Sequence, residues 1–234
     1  MTKFKRNMIL IILSLCIIFS FSLIASATTS SPAHYQYNGG FALFNDTDNL
    51  KGASAYITYK AKPTVLNQSM SSIWAMITDE NSLSLAQVGY ALDLNVQHGT
   101  YYFMGVIDSD GNYREYTTPM ILAPELKSNH KYTVTTASAG GGKLNVNGFI
   151  DSTHYWTTLI DFVPNEAQYQ EEIFNVDAHF MGNTAYHERI SGITALKGST
   201  WINPTLTWQF TTYGGLYNSA YSTSHYIDVY DNRN

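Results

Sequence analysis

The sequence predicts an all-β protein, an antiparallel β-sandwich or jelly roll. After the apolar N-terminus, no segment keeps a helical apolar period for three turns. Short alternating segments rich in β-branched and aromatic residues recur instead. Turn-forming clusters separate them, as at Ser109-Asp110-Gly111 and Gly140-Gly141-Gly142. Composition agrees with a packed β core: aromatics make up 14%, including 18 Tyr, and charged residues only 13%, which excludes a disordered tail or a coiled coil.

The expected strands follow in order. Residues 53–59 alternate small or apolar with polar side chains, and residues 73–78 form a compact apolar run. Residues 83–94 follow across the turn Asp79-Glu80-Asn81. Residues 101–107 and 112–117 flank the first hairpin turn, and residues 132–136 and 143–149 flank the glycine turn. Residues 155–162, 169–175, 205–211 and 226–230 complete the set. Regular short strands of this kind suit a sandwich closed by two sheets. Residues 185–196 fit a short helix or a loop, since their periodicity does not decide.

The first 27 residues read as a signal peptide rather than as part of the fold. Lys3, Lys5 and Arg6 precede a charge-free apolar run over residues 8–24, and Ala25-Ser26-Ala27 supplies the small-x-small cleavage pattern. The run approaches spanning length, so a membrane anchor is the alternative. Cleavage would leave residues 28–234 as a single domain, the sandwich starting near residue 35. It would also remove Cys16, the one cysteine, so the exported chain would carry no disulfide and no thiol. That pattern suits a secreted, extracellular bacterial protein. The formal net charge of −5 gives no basic footprint for nucleic acid, and no membrane contact is expected once the signal is cleaved.

Common catalytic motifs are absent. There is no G-x-S-x-G and no H-E-x-x-H. Gly140-Gly141-Gly142-Lys143 lacks the spacing of a phosphate loop, and Asp108-Ser109-Asp110-Gly111-Asn112 fits a hairpin better than a calcium loop. Asp177 and His179 would share a strand face, but two ligands make no metal site. No metal and no cofactor is expected.

Two segments carry candidate chemistry. Gln87 lies among small and apolar residues and shares a face with Leu85 and Gly89; a buried amide there needs a hydrogen-bond partner or a ligand. Gly89 leaves room for a backbone or substrate to approach. Glu171 and Glu172 are consecutive, so on a strand they face opposite sides. With one solvated, the other meets the sheet interior or a groove, where burial raises its pKa toward general acid-base range.

These segments resemble the eqolisins, the glutamic peptidases, which are β-sandwiches of concanavalin-like architecture. The resemblance rests on Trp74, a turn, and Gln87-Val88-Gly89, then on Ala167-Gln168-Tyr169-Gln170-Glu171-Glu172, where Tyr169 stands for the family's Trp. It implies a catalytic pair of Gln87 and Glu172, meeting across one groove, with Trp74 and Tyr169 toward the substrate. The implied reaction is acid hydrolysis of peptide bonds without a cofactor: the carboxyl activates water and later protonates the leaving amine, and the amide donates to the oxyanion. The alternative class is a non-catalytic extracellular module that binds a glycan or polypeptide. Trp201, Asn203, Thr205, Thr207 and Gln209 fall on one face of an alternating segment, a polar face with one aromatic platform.

Overall fold

The computed structural model describes residues 36–45, 48–60, 70–82, 84–93, 99–119, 124–173, 181–210, 218–223 and 226–231. The leader expected over residues 1–27 lies outside the described residues, as do Asp177 and His179.

Among the described residues the fold is β-structure throughout, and every strand expected from the sequence is present. The first half contributes β1 (Gln36–Leu43), β2 (Leu50–Thr58), β3 (Met70–Thr78), β4 (Leu85–Asp93), β5 (Gly99–Ile107), β6 (Tyr113–Thr117) and β7 (Asn129–Gly140). The second half contributes β8 (Lys143–Ile150), β9 (Thr153–Ile160), β10 (Glu166–Ile173), β11 (Glu188–Lys197), β12 (Thr200–Ile202), β13 (Thr207–Phe210), β14 (Asn218–Thr223) and β15 (Tyr226–Asp231). They form two antiparallel sheets. One has seven strands in the order β13-β1-β10-β3-β4-β5-β6; the other has eight, in the order β14-β15-β11-β2-β7-β8-β9 with β12 beside β11.

Local chemistry sets the hairpins. At the β3–β4 turn the Thr78 hydroxyl donates to the Ser84 carbonyl at 2.6 Å, and Asp79 Oδ1 accepts from the Asn81 N–H at 3.0 Å. At the β5–β6 turn Asp108 Oδ1 accepts from the Asn112 N–H at 2.8 Å. These are side-chain substitutes for backbone turn bonds, the reason Asp, Asn and Ser collect there.

Residues 185–196 were open between helix and loop; most of them form β11. Their alternation is hidden by a bulge. Buried Glu188 and Ile190 precede Gly192, and Ile193 and Ala195 follow it, so the buried phase shifts by one residue there. The pairing with β2 shifts register between Ser191 and Thr194, and Gly192 has φ +55°. A one-residue insertion of this kind breaks the period that a strand otherwise displays.

The main core lies between the sheets. Ile73, Ala75 and Ile77 of β3, Val88 and Tyr90 of β4, and Tyr169 of β10 meet Ala55, Ile57, Tyr132, Val134 and Ile190 of the facing sheet. Glu171 enters this core at 0% exposure. Its Oε1 accepts from the Ser71 hydroxyl at 3.1 Å and from the Met181 N–H at 2.7 Å. Glu188 is also buried; its oxygens accept from the Lys60 N–H at 2.6 Å and the Tyr90 hydroxyl at 3.1 Å. Burial first, then the charge of Glu188, pushes the Glu171 carboxyl well above its ordinary range.

An acid whose folded pKa is raised stabilises the fold fully below its unfolded value, and that contribution is lost as pH rises through the folded pKa. Glu171→Gln keeps an acceptor for Ser71 and Met181 but cannot ionise. The melting temperature of this variant is expected to exceed that of the wild type at pH 8 and to match it near pH 4. A difference that is largest in acid would refute the buried-acid assignment.

Candidate functional site

Residues directly opposite in antiparallel strands share a face. On β10, Glu166, Gln168, Gln170 and Glu172 therefore point away from the core, opposite Thr78, Met76, Trp74 and Ser72 of β3. Those in turn face Leu85, Gln87, Gly89 and Ala91 of β4. The next strand, β5, places Ile107, Gly105, Phe103 and Tyr101 beside them. Gln87, Trp74 and Glu172 thus lie on the outer face of one sheet.

This face is not an open polar surface. Trp74, Met76, Leu85, Ala91, Phe103 and Ile107 form a second apolar cluster, against which Tyr101 and Tyr113 pack. Trp74 is 3% exposed and Gln87 5% exposed, while Glu172 is half-buried. Among the described residues none hydrogen-bonds the Gln87 side chain. Its polar atoms are not among the buried atoms left without a partner, so the amide end reaches solvent and is open to a ligand.

Glu172 sits two strands and four residues from Gln87, about 16 Å between Cα positions at ordinary sheet spacing. Trp74 occupies the diagonal between them. The two side chains therefore do not meet directly across one gap as expected; Trp74 stands between them. Burial pushes the Glu172 carboxyl up to about 8, and the nearby Trp74 indole N–H offsets part of that rise. That N–H lies close to the carboxyl without the alignment of a full hydrogen bond, and it has no other partner. The direction is the one expected for Glu172, but its size changes the expected pH range. With a carboxyl near 8, the ionised base is scarce in acid, and the working range moves from acid toward neutrality.

The same face carries a second buried acid and amide. Glu166 is pushed up to about 7, by burial first, with Gln168 lowering it and Glu80 raising it. The Gln168 amide donates to Glu166, and its own Oε1 is buried without a partner. Sequence reasoning missed this pair, although the alternation Glu166, Gln168, Gln170, Glu172 was readable as one polar face. It also missed Tyr113 and Glu115 of β6, whose side chains bond each other beside Gln87.

Two expected substrate residues lie elsewhere. Tyr169 faces the inter-sheet core, fully buried, with its hydroxyl donating to the Thr194 carbonyl at 2.7 Å. The reason is parity: it lies three positions before Glu172, an odd offset, so a regular strand sends them to opposite faces. Trp201 stands on β12 in the other sheet, 40% exposed, and takes no part in the Gln87 face. The Glu171–Glu172 pair does split between faces, but the member turned from Glu172 enters the core rather than solvent. Gly89 does meet a backbone: a Cβ there would lie 2.0 Å from the Ile73 carbonyl oxygen. Among the described residues no group of three His, Cys, Asp or Glu side chains is placed to hold a metal ion.

The sandwich of these two sheets is similar to solved glutamic peptidases. One is Scytalido-glutamic peptidase with a peptide-based transition state analog: TM-score 0.61, 7% identity, covering 84% of this chain and 98% of that one. Another is SCP-B, a member of the eqolisin family of peptidases, in complex with the tripeptide Ala-Ile-His: TM-score 0.50, 8% identity, the same coverages. At such identities the likeness establishes the fold, and the chemistry rests on the residues. No protein-family model and no curated protein matches the sequence.

The raised Glu172 is directly observable. Carboxyl carbon resonances followed by NMR should show one outer-face Glu titrating near 8, lost in Glu172→Gln. Trp74→Phe removes the indole N–H and should move that midpoint higher. An unmoved or lower midpoint would mean that Trp74 does not face the carboxyl.

Proposed function

We propose that the protein is an endopeptidase that hydrolyses peptide bonds with Glu172 and Gln87, working nearer neutrality than acid. One observation carries the reading: a carboxyl lifted to about 8 by burial shares a sheet face with a nearly buried, unpartnered amide, on a fold similar to that of glutamic peptidases. Ionised Glu172 takes a proton from water as its oxygen attacks the scissile carbonyl carbon. Negative charge develops on the carbonyl oxygen, where the Gln87 N–H donates. The C–N bond then breaks as protonated Glu172 returns its proton to the leaving nitrogen. Neither a nucleophilic side chain nor a cofactor is required. The N-terminal basic, apolar and small-residue pattern supports export, which would put extracellular polypeptides within reach.

Purified protein should cleave an unfolded protein substrate, and kcat/KM should rise with pH toward the Glu172 pKa. Gln87→Ala should lower kcat by about 10²–10³, the loss expected for one oxyanion donor. Glu172→Gln should abolish turnover with the fold intact. Glu171→Gln, on the core face, should leave turnover near wild type. Equal losses in the two glutamate variants, or no cleavage between pH 3 and 9, would reject the reading.

The second reading is a binding surface on the other sheet. Trp201 and Tyr56 are each 40% exposed, and Lys131 Nζ lies 5.8 Å and 5.9 Å from their ring centroids. Exposed aromatic rings beside a hydrogen-bond donor suit the apolar faces and hydroxyls of sugars. Tryptophan fluorescence should shift with a bound polysaccharide and lose that shift in Trp201→Ala. Silence across a broad glycan panel would reject it.

A further inference from the structure

Two ring-and-cation units stand level on the outer face of the eight-stranded sheet. Tyr56 of β2 lies directly opposite Lys131 of β7 on one side and Ser191 of β11 on the other, and Ser191 lies opposite Tyr226 of β15. One row across four strands therefore reads Tyr226, Ser191, Tyr56, Lys131, with two aromatics flanking a small residue. The bulge at Gly192 seats the Tyr56 ring: a Cβ there would lie 2.9 Å from Tyr56 Cδ2. Lys131 Nζ stands 5.9 Å from the Tyr56 centroid and 5.8 Å from that of Trp201, and both rings remain 40% exposed. The ammonium has no carboxylate partner among the described residues. Asp151 is already engaged: its Oδ1 accepts the Lys131 backbone N–H at 2.9 Å, and its Oδ2 meets His130 Nδ1 at 2.8 Å. In the second unit Arg189 Cζ lies 4.1 Å from the Tyr226 centroid, and Nε and Nη2 fork onto Asp228 at 2.6 Å and 2.7 Å. Its Nη1 has no partner among the described residues.

We propose that this face binds an anionic polysaccharide, its sugar rings lying on Trp201 and Tyr56 while its acidic groups meet Lys131 Nζ and Arg189 Nη1. The proposal rests on the reading of this sheet as a glycan surface and adds the charge of the glycan to it. Exposed rings alone take the apolar faces of any sugar. A neutral glycan would leave the Lys131 charge answered only by the quadrupoles of the two rings. Hydrogen bonds to an ionised group are roughly twice as strong as neutral ones, so an acidic sugar gains more from the same donors. An ammonium is a point charge without a fixed fork, so it reads sign rather than shape, and carboxylated and sulfated chains both qualify. Two units on one face, with Ser191 between them, suit a chain of sugars rather than a single one.

The test is calorimetric titration of the full-length protein with polygalacturonate, its fully methyl-esterified form, dextran, dextran sulfate and poly-L-glutamate. Polygalacturonate or dextran sulfate should bind at least about tenfold more tightly than its uncharged counterpart, the scale of one hydrogen bond to a charged group. Which of the two binds tells carboxylate from sulfate. Lys131→Gln should erase that preference and keep the weaker binding of uncharged chains, whereas Trp201→Ala should lose both. The comparison of polymers on the wild type stands whether or not either variant folds. Equal binding of charged and uncharged chains, or a preference that survives Lys131→Gln, would overturn the proposal and leave the glycan reading in place. Poly-L-glutamate binding as tightly as the charged polysaccharides would overturn it too, since charge alone would then suffice. If no polysaccharide binds, the glycan reading and the proposal fall together, and the peptidase reading is untouched.

Discussion

Strand β10 is packed on both faces, and the rest of the site depends on that. Seven of its eight residues are buried and the eighth, Glu172, is half-buried. It lies between β1 and β3 with an unbroken register along its whole length on each side. Ladder hydrogen bonds on both edges hold it there, so its side chains must accept whatever environment each face provides. Three of those side chains are carboxyls. Desolvation disfavours their charged forms, and each is lifted: Glu166 to about 7, Glu172 to about 8 and Glu171 well above its ordinary range. The chemistry proposed for this protein is a consequence of where the strand sits.

The two faces use their acids differently. On the core face, Glu171 is met by donors from Ser71 and Met181 and stands near Glu188, itself tied to Tyr90 and Lys60. These fixed partners make Glu171 part of the packing between the sheets. On the outer face the aromatic cluster around Trp74 and Phe103 supplies low polarity but few fixed donors. Glu172 has only the nearby indole N–H, and Gln87 has no partner among the described residues. Unsatisfied groups in a desolvated place are expensive to keep. Unpartnered polar atoms also occur in the core, at Tyr59, Tyr132 and Glu171 Oε2, so what marks the outer face is the company that Glu172, Trp74, Gln87 and Gln168 keep on it.

Much of this was legible in the sequence because β-structure is written in a period of two. The hairpins at residues 79–84 and 108–112 were marked by their Asp, Asn and Ser, and Gln87 could be assigned the face it occupies. The split of Glu171 from Glu172 followed from alternation alone. The same rule, applied to Tyr169, would have removed it from the groove, since 169 and 172 differ by an odd number. Alternation failed in β11 for a definite reason: the bulge at Gly192 shifts its phase. What no local pattern contains is which strands become neighbours. Ser71 and Glu171 are 100 residues apart in sequence and hydrogen-bonded in the fold. The Gln87–Gly105–Glu115 row exists only once β4, β5 and β6 are laid side by side, so Tyr113 gave no sign of its place from β6 alone.

The burial that tunes Glu172 also ties activity to stability with opposite signs. As a base it must be ionised, so the reactive fraction grows as pH approaches 8. As a buried acid with a raised pKa, it stabilises the fold fully below the ordinary Glu value and loses that contribution over the same rise. Glu166 behaves alike about one unit lower, and Glu171 adds to the trend from the core. The exposed acids do not reverse it: Asp48 and Asp161 are lowered by Lys197 and Ser109 respectively, but both lie at the solvent boundary, where such pairings contribute little. Each step toward the ionised base therefore draws on the stability of the strand that carries it. A second charge on Glu166 or Glu171 would deepen that cost without serving the reaction. Glu166, at about 7, ionises before Glu172 does, but it lies six residues away at the far end of β10, and Glu171 lies on the opposite face.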